Sequence, residues 1–286
     1  MTTGGGTAEA TAGTMAGTTA ETTVEQAWSV LLWERRLLAA MWLVWAGWVC
    51  LLSMHAVDPA LSQAARALPE GVHAVFRVIT VAGLGKWYLV PLGLGAAGLV
   101  AASFIVGKDE PARRCRYRQW AWILIFAFLA VLLSGLVVDV IKVAAGRARP
   151  KLLDLVGFYG FLPVNFRADY QSFPSGHAAT AASVALVVCY LRPGLRWLAW
   201  AYALPIIASR VVINAHFLGD IVGGGAISLF VTWALREWFA RHKVVFDFGP
   251  DGLIHRNWPT SPPPALSPPL PSAPPLPAAP DAGRGR

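Results

Sequence analysis

Six apolar segments constrain this chain most, because each is near the length that a membrane-spanning helix requires. The segments lie at 37–56, 86–106, 119–142, 177–192, 196–214 and 217–239. A helix needs about 20 apolar residues to cross roughly 30 Å of hydrocarbon. Backbone polar groups in lipid must be satisfied within the chain, so spanning segments of this kind form helices. We therefore predict an all-α fold, a polytopic membrane bundle with about six transmembrane helices.

The composition agrees with residence in a membrane. Charged residues make up 14% of the 286-residue chain, whereas soluble domains carry roughly 25%. Two predicted spans are weaker than the others, because 177–192 is short and 196–214 contains Pro205. The stretch 66–81 is amphipathic, so it is predicted to lie at the membrane interface rather than to cross it.

Basic residues recur on one side of a six-span arrangement. They are Arg35, Arg36, Lys108, Arg113, Arg114, Arg116, Arg118, Arg192, Arg196, Arg236, Arg241 and Lys243. By the positive-inside rule this side is the cytoplasm. We therefore predict a multi-pass protein of the cell inner membrane with both termini in the cytoplasm. The loop 143–176 and the junction of the last two spans then face the periplasm or exterior. Since topology accounts for the net charge of +8, no nucleic acid partner is expected.

Composition also divides the chain into three parts. Residues 1–25 are rich in Thr, Gly and Ala, and 246–286 include a long Pro-rich stretch, so both are predicted to be disordered tails. Residues 26–245 are predicted to form one six-helix membrane domain.

Two cations mark the end of the third apolar segment. Six residues separate Lys142 from Arg149, and Pro150 ends the helix. Fixed cations near a membrane surface suit a phosphate group, although either one alone is better explained by snorkelling to lipid headgroups. Asp139, one turn before Lys142, is expected to pair with it as a structural partner.

The sequence Pro174-Ser175-Gly176-His177 precedes the fourth apolar segment. A helix start offers unpaired N–H groups and a positive dipole end, which favour anions. Gly176 lets the backbone approach a ligand closely, and Ser175 is a candidate N-cap. A capped helix start alone would explain Ser-Gly, but His177 at the same point can donate a proton to a leaving oxygen.

The third pattern is Ser209-Arg210, then His216 and Asp220. Residues four apart share a helix face, so the carboxylate of Asp220 can hold one imidazole nitrogen of His216 and fix its tautomer. A nucleophilic histidine needs this arrangement, although a salt bridge at a helix start explains the pair equally well. Arg210, at the end of the fifth segment, is placed to reach the same phosphate.

Together the patterns K-x6-RP, PSGH and SR-x5-H-x3-D resemble the type 2 phosphatidic acid phosphatase superfamily. These membrane lipid phosphate phosphatases are related to vanadium haloperoxidases, and the resemblance covers roughly residues 37–240. It implies a phosphate-binding set made of Lys142, Arg149, Ser175, Gly176 and Arg210. It also implies that His216 attacks phosphorus to form a phosphohistidine, that Asp220 orients it, and that His177 protonates the leaving group.

The resemblance implies a phosphatase that hydrolyses a lipid phosphate or diphosphate without a metal or other cofactor. Candidate substrates are undecaprenyl diphosphate, phosphatidylglycerophosphate, phosphatidic acid and lipid A. A lipid phosphotransferase with the same site, or a non-catalytic lipid-binding protein, are the alternatives. The expected partners are the lipid substrate and the bilayer, with no obligatory protein partner. Arg147 is expected to touch a headgroup, and the aromatic loop 151–173 either covers the site or packs on the helices.

Overall fold

The computed structural model describes residues 37–38, 40–106 and 110–257. The predicted tail 1–25 and residues 258–286 of the predicted Pro-rich tail lie outside the described residues. The helices, numbered along the described chain, are α1 Ala40–Arg66, α2 Glu70–Ile79, α3 Lys86–Ile105, α4 Pro111–Ala145, α5 Pro150–Val156, α6 Gly176–Leu191, α7 Arg196–Val212 and α8 Leu218–Arg241.

One helix contains a stretch of π-helix, and short 3-10 turns lie between other helices. Helix α1 is π-helical over Ser53–Val57 and continues as Asp58–Arg66. A 3-10 turn, Thr80–Gly83, joins α2 to α3. Shorter 3-10 turns follow at Ala168–Tyr170 and Pro193–Leu195.

Four segments of the described chain are long and apolar enough to cross a membrane. They are Ala40–Arg66, Glu70–Ile105, Pro111–Ala145 and Leu218–Arg241. The predicted all-helical membrane fold is therefore confirmed. The two weaker predicted spans are the shorter helices α6 and α7, and the count of six spans stays a prediction. The predicted interfacial stretch contains α2, none of whose residues is buried.

Packing between the helices relies on small side chains, while large apolar side chains face outward. Ala178, Ala181 and Ala203 are fully buried, whereas Ile105 is 82% and Val140 71% exposed. Water would penalise such an outer surface, but lipid tails do not. This distribution is the one expected of a bundle whose helices approach closely and whose outside meets lipid.

The end of α4 turns sharply into the loop that carries the site. Gly146 ends the helix with φ +61°, the left-handed conformation that favours glycine. A Cβ at this position would stand 1.7 Å from the carbonyl oxygen of Leu162. The chain therefore leaves α4 in close contact with the loop that returns over it.

A short hairpin extends the helical domain beyond its predicted end. Strands β1 Phe246–Phe248 and β2 Ile254–Arg256 pair antiparallel. Phe246 is fully buried, and its ring centroid lies 4.9 Å from that of Phe126 in α4. Arg236 of α8 donates to the carbonyl of Ile254 at 2.6 Å. The predicted boundary at residue 245 is thus too early, because an aromatic side chain beyond it completes the core.

Candidate active site

The three sequence patterns meet at one place, where α4 ends, α6 begins and α7 connects to α8. The charges of Lys142, Arg149 and Arg210 act on the imidazole of His177, and so does His216. Arg149 and Arg210 also act on His216. The structure therefore gathers the predicted basic residues around one point, although they are spread over 75 positions of sequence between Lys142 and His216.

Lys142 lies against the start of α6. Its Nζ would be 3.2 Å from a Cβ placed on Gly176, and it stands 3.3 Å from the Oδ1 of Asp139. The ion pair with Asp139 is the structural pairing that the sequence predicted. A side chain at position 176 would push the ammonium away from the helix start, so glycine keeps a cation and backbone N–H groups side by side.

The start of α6 is clamped onto α8. Ser175 is fully buried and caps α6, its Oγ accepting from the N–H of Ala178 at 3.5 Å. The N–H of Ser175 donates to the carbonyl of Asp220 at 2.9 Å. A Cβ on Gly224 would lie 2.4 Å from the carbonyl oxygen of Ser175. These contacts fix the start of α6 relative to the pair of His216 and Asp220.

The imidazole of His216 is oriented by a backbone carbonyl. Its Nδ1 lies 2.8 Å from the carbonyl oxygen of Ser172. A carbonyl can only accept, so Nδ1 carries the proton and Nε2 keeps its lone pair. Asp220 Oδ2 is farther from Nδ1, at 3.5 Å. The sequence predicted that Asp220 alone fixes this tautomer, and it missed Ser172. The residue type of Ser172 gives no signal, because the contact is made by its backbone carbonyl.

Asp220 is the centre of a buried network. Its Oδ2 accepts from the Ser172 hydroxyl at 2.5 Å and from the N–H of Phe217 at 2.8 Å. Its Oδ1 accepts from Arg147 at 2.6 Å, and Arg147 also donates to Asp58 at 2.7 Å. The expectation that Arg147 touches a headgroup is wrong, because this side chain is fully buried between two carboxylates.

Arg210 and His177 are held by the 3-10 turn that precedes α3. Arg210 is 8% exposed, and its Nη1 donates to the hydroxyl of Thr80 at 2.5 Å. A Cβ on Gly83 would lie 2.7 Å from the Cδ2 of His177. The sequence placed residue 80 in an interfacial stretch and gave no signal for this contact, since neither a lone threonine nor a glycine marks a site.

A cavity of about 240 Å³ opens beside His177, between the start of α3 and the middle of α4. Its walls are largely apolar and include Leu89, Val131 and Leu136. Gly176 and His177 also line it, and a Cβ on Gly176 would lie 3.2 Å from the Nζ of Lys142. An amphiphile could thus place its charged end among the cations and its apolar part along α4.

Within residues 37–38, 40–106 and 110–257, no three His, Cys, Asp or Glu side chains form a group that could hold a metal ion. The nearest set, His216 with Asp220 and Asp58, is already engaged by Arg147, Ser172 and backbone N–H groups. The cations of the site are protein side chains, which suit the oxygens of a phosphate.

Part of this chain is similar in sequence to known proteins. A family model described as the PAP2 superfamily matches residues 120–243. The chain is 32% identical over 139 residues to a lipid A 1-phosphatase of Rhizobium johnstonii and to another of Rhizobium etli. These matches cover 49% of this chain and only 55% and 58% of the two relatives.

Among solved structures, the chain is similar to a transmembrane PAP2-type phosphatidylglycerolphosphate phosphatase from Bacillus subtilis. The two share 22% sequence identity with a TM-score of 0.44. The match covers 72% of this chain and 96% of the other.

Proposed function

We propose that this protein is an integral membrane phosphatase that hydrolyses a lipid phosphate or diphosphate, and the match of a PAP2 superfamily model to residues 120–243 supports this. The observation that carries the proposal is the position of His216. Its Nδ1 is bound to a carbonyl, so Nε2 is the nucleophilic atom. Lys142, Arg149 and Arg210 lie within electrostatic reach of the neighbouring His177.

In the proposed reaction, the Nε2 of His216 attacks phosphorus. The bond to the lipid oxygen breaks, and His177 gives its proton to that oxygen. Water then attacks the phosphorus of the phosphohistidine, and one of its protons passes to the now neutral His177. The bond from phosphorus to Nε2 breaks and returns its electron pair to Nε2, and inorganic phosphate leaves. The three cations bind the non-bridging oxygens, where charge accumulates in phosphoryl transfer. Ser175 and Gly176 add the helix start, and Asp220 supports the imidazole through Ser172.

The relatives and the cavity favour one substrate class. Both curated relatives are named lipid A 1-phosphatases, so we place the 1-phosphate of a lipid A-type glycolipid first. Undecaprenyl diphosphate, phosphatidylglycerophosphate and phosphatidic acid follow. The apolar cavity touches His177, the proposed donor to the leaving oxygen. A lipid leaving group would therefore lie along Leu89 and Val131.

The proposed location is the inner membrane, with both termini in the cytoplasm and the site on the outer face. The basic loop residues support it, because they fall on the side opposite to the three patterns. Labelling of single cysteines placed on the hairpin turn and in the loop after α5, in intact cells and in inverted vesicles, tests this orientation.

The activity is tested with purified, detergent-solubilised protein in EDTA against the four lipids, with His216→Ala protein as the blank. We expect phosphate release that persists in EDTA and prefers one lipid. Inclusion of an unphosphorylated acceptor lipid separates the alternatives. A phosphorylated acceptor without free phosphate would identify a phosphotransferase, and neither product from any lipid would overturn the proposal.

The pH dependence follows from the burial of His216. Burial lowers the pKa of His216, and the charges of Arg210 and Arg149 lower it further, although Asp220 opposes them. Only the neutral ring attacks, and a lowered pKa keeps it neutral to a lower pH. The acid limb of kcat/KM should therefore fall below the ordinary imidazole value of about 6.5.

Initial rates between about pH 5 and about pH 8 measure this limb. A lipid phosphate itself ionises near pH 6, so the profile is taken with both a monophosphate and a diphosphate. A limb shared by both substrates belongs to the enzyme. A shared limb at or above the ordinary imidazole value would contradict the prediction.

The contact between Gly83 and His177 gives a further prediction. In Gly83→Ala, the new methyl group displaces the imidazole, because it would lie 2.7 Å from Cδ2. We expect kcat to fall about tenfold, a fraction of the 10²–10⁴-fold that general acid catalysis supplies. Gly85→Ala is the matched control, since its Cβ meets only ordinary contacts at 3.7 and 3.8 Å. Equal kcat values in the two variants would contradict the assignment of His177 as the proton donor to the leaving group.

A further inference from the structure

Asp58 lies outside the family-matched region, in α1, yet it is bound to the buried network behind His216. We propose that Asp58 is a positioning residue that neutralises Arg147, so that Asp220 keeps its negative charge for the imidazole of His216. The proposal rests on the proposed phosphatase function and adds a residue that none of the three sequence patterns contains.

The contacts of Asp58 show a built site rather than a chance ion pair. Asp58 is 1% exposed, and its Oδ2 accepts from Arg147 at 2.7 Å. Its Oδ1 accepts from the N–H of Gly219 at 3.1 Å, directly before Asp220. A Cβ on Gly219 would lie 3.1 Å from Asp58 Oδ2 and 3.3 Å from Arg147 Nη1. Position 219 therefore has little room for a side chain while α1 approaches α8 this closely.

Arg147 is shared between two carboxylates. Its Nη1 binds Asp220 at 2.6 Å, its Nη2 binds Asp58 at 2.7 Å, and all three side chains are fully buried. The rings of Phe217 and Phe161 lie 4.6 and 5.7 Å from the guanidinium. The network is thus shielded from bulk solvent, and its net charge of −1 comes from these two carboxylates and one guanidinium.

The sign of this charge matters at the moment of phosphoryl transfer. His216 has a proton on Nδ1, so bonding Nε2 to phosphorus makes its ring positive. A negative network 3.5 Å from Nδ1 stabilises that ring. Without Asp58, the remaining pair of Arg147 and Asp220 would be neutral and would stabilise the positive ring much less. Asp58 therefore acts on turnover through Arg147, without touching the substrate.

A purely structural role is the competing explanation, because Asp58 also ties α1 to α8. A second ion pair, between Arg66 and Asp154, joins the same helix to α5. It is partly exposed and has no contact with the network. Asp154→Asn is therefore the control, since it removes another ion pair of α1 without changing the charge behind His216.

The test is Asp58→Asn, whose amide keeps the shape and can still accept from Gly219 but carries no charge. We expect kcat to fall about 10- to 100-fold, with KM within about twofold because the phosphate is held by Lys142, Arg149 and Arg210. In Asp154→Asn both constants should stay within about twofold of the unmodified protein.

A compensating variant makes the test independent of folding damage. Asp58→Asn combined with Arg147→Gln restores the net charge of −1, so kcat should rise above that of Asp58→Asn alone. If Asp58 only held α1 against α8, the further removal of Arg147 would not restore kcat. Equal losses in Asp58→Asn and Asp154→Asn, an unchanged kcat, no recovery in the double variant, or failure of both Asp58 variants to fold would each overturn the proposal.

The outcome is separable from that of the proposed function. An inactive wild-type protein would refute the proposed phosphatase function, because every expected change in kcat and KM is measured relative to the wild-type protein. An active wild-type protein whose kcat is unaffected by Asp58→Asn would refute only the positioning role.

Discussion

His216→Ala protein is expected to lose at least about 10⁴-fold in phosphate release from its lipid substrate, in line with removal of an enzymic nucleophile. The reason is geometric. The Nδ1 of His216 is bound to the Ser172 carbonyl at 2.8 Å, so the substitution removes the lone pair of Nε2 that the mechanism requires. The proposed phosphate-binding residues remain, since Arg149 and Arg210 are held by other contacts. Substrate should therefore still bind.

Rapid quenching of a ³²P-labelled lipid reaction measures this prediction directly. Wild-type protein should carry an acid-labile, base-stable phosphoryl group, and His216→Ala should carry none. His255→Ala is the matched control, because His255 is also paired with an aspartate four residues away, Asp251, at 2.9 Å, but on the exposed hairpin. Labelled His216→Ala, or a comparable loss in His255→Ala, would contradict the assignment of the nucleophile.

Gly224→Ala protein is expected to unfold about 5–10 °C lower than wild type in detergent and to lose most of its activity. A methyl group there would lie 2.4 Å from the carbonyl oxygen of Ser175, and a backbone atom cannot rotate away. Overpacking of this kind costs about 1–3 kcal/mol and at times more, and 1 kcal/mol shifts the midpoint by about 2–4 °C in a domain of this size. The displaced segment is the N-cap of α6, so phosphate binding fails with it.

Gly225→Ala is the control for this prediction. It changes the neighbouring glycine of the same helix, where an added Cβ meets nothing within 4 Å. Its midpoint and KM should match those of the unmodified protein. Midpoints are read from intrinsic tryptophan fluorescence, and KM from phosphate release. Equal midpoints in the two variants would show that α6 and α8 can separate at this point without loss of the fold.

The chain's local patterns predicted its helices well. The apolar segments 86–106 and 119–142 correspond to α3 and to the larger part of α4, because runs of apolar residues and their polar ends are local properties. The prediction that Pro150 ends the third apolar helix is wrong, because α4 ends at Ala145 with Gly146 as its C-cap and Pro150 begins α5. Ser175 was correctly read as an N-cap. The hairpin at 246–256 was missed, since its short strands lie beside a Pro-rich stretch and are stabilised by contacts that are distant in sequence, such as Phe246 on Phe126 and Arg236 with the carbonyl of Ile254.

Some residues of the candidate site could be recognised from the sequence, and others could not. Cations and histidines identify themselves by residue type and spacing, so the sequence indicated Lys142, Arg149, His177 and His216. Asp58 carried a weaker signal, an acidic residue within a segment apolar enough to span a membrane. Ser172 and Thr80 carried none, because a backbone carbonyl and a lone hydroxyl look the same in any sequence.

The sequence by itself determined that this chain is a helical membrane protein and which charged residues are candidates for a phosphate site, because the length of apolar segments and the positions of charges can be read residue by residue. Only the tertiary structure decided how that site is supported. Arg147 lies 89 positions from Asp58 and 73 positions from Asp220 in the sequence. Pairing of buried charges across such distances depends on which helices approach closely, and that is set by small residues such as Gly219 and Gly224, whose importance appears only when their neighbours are in place.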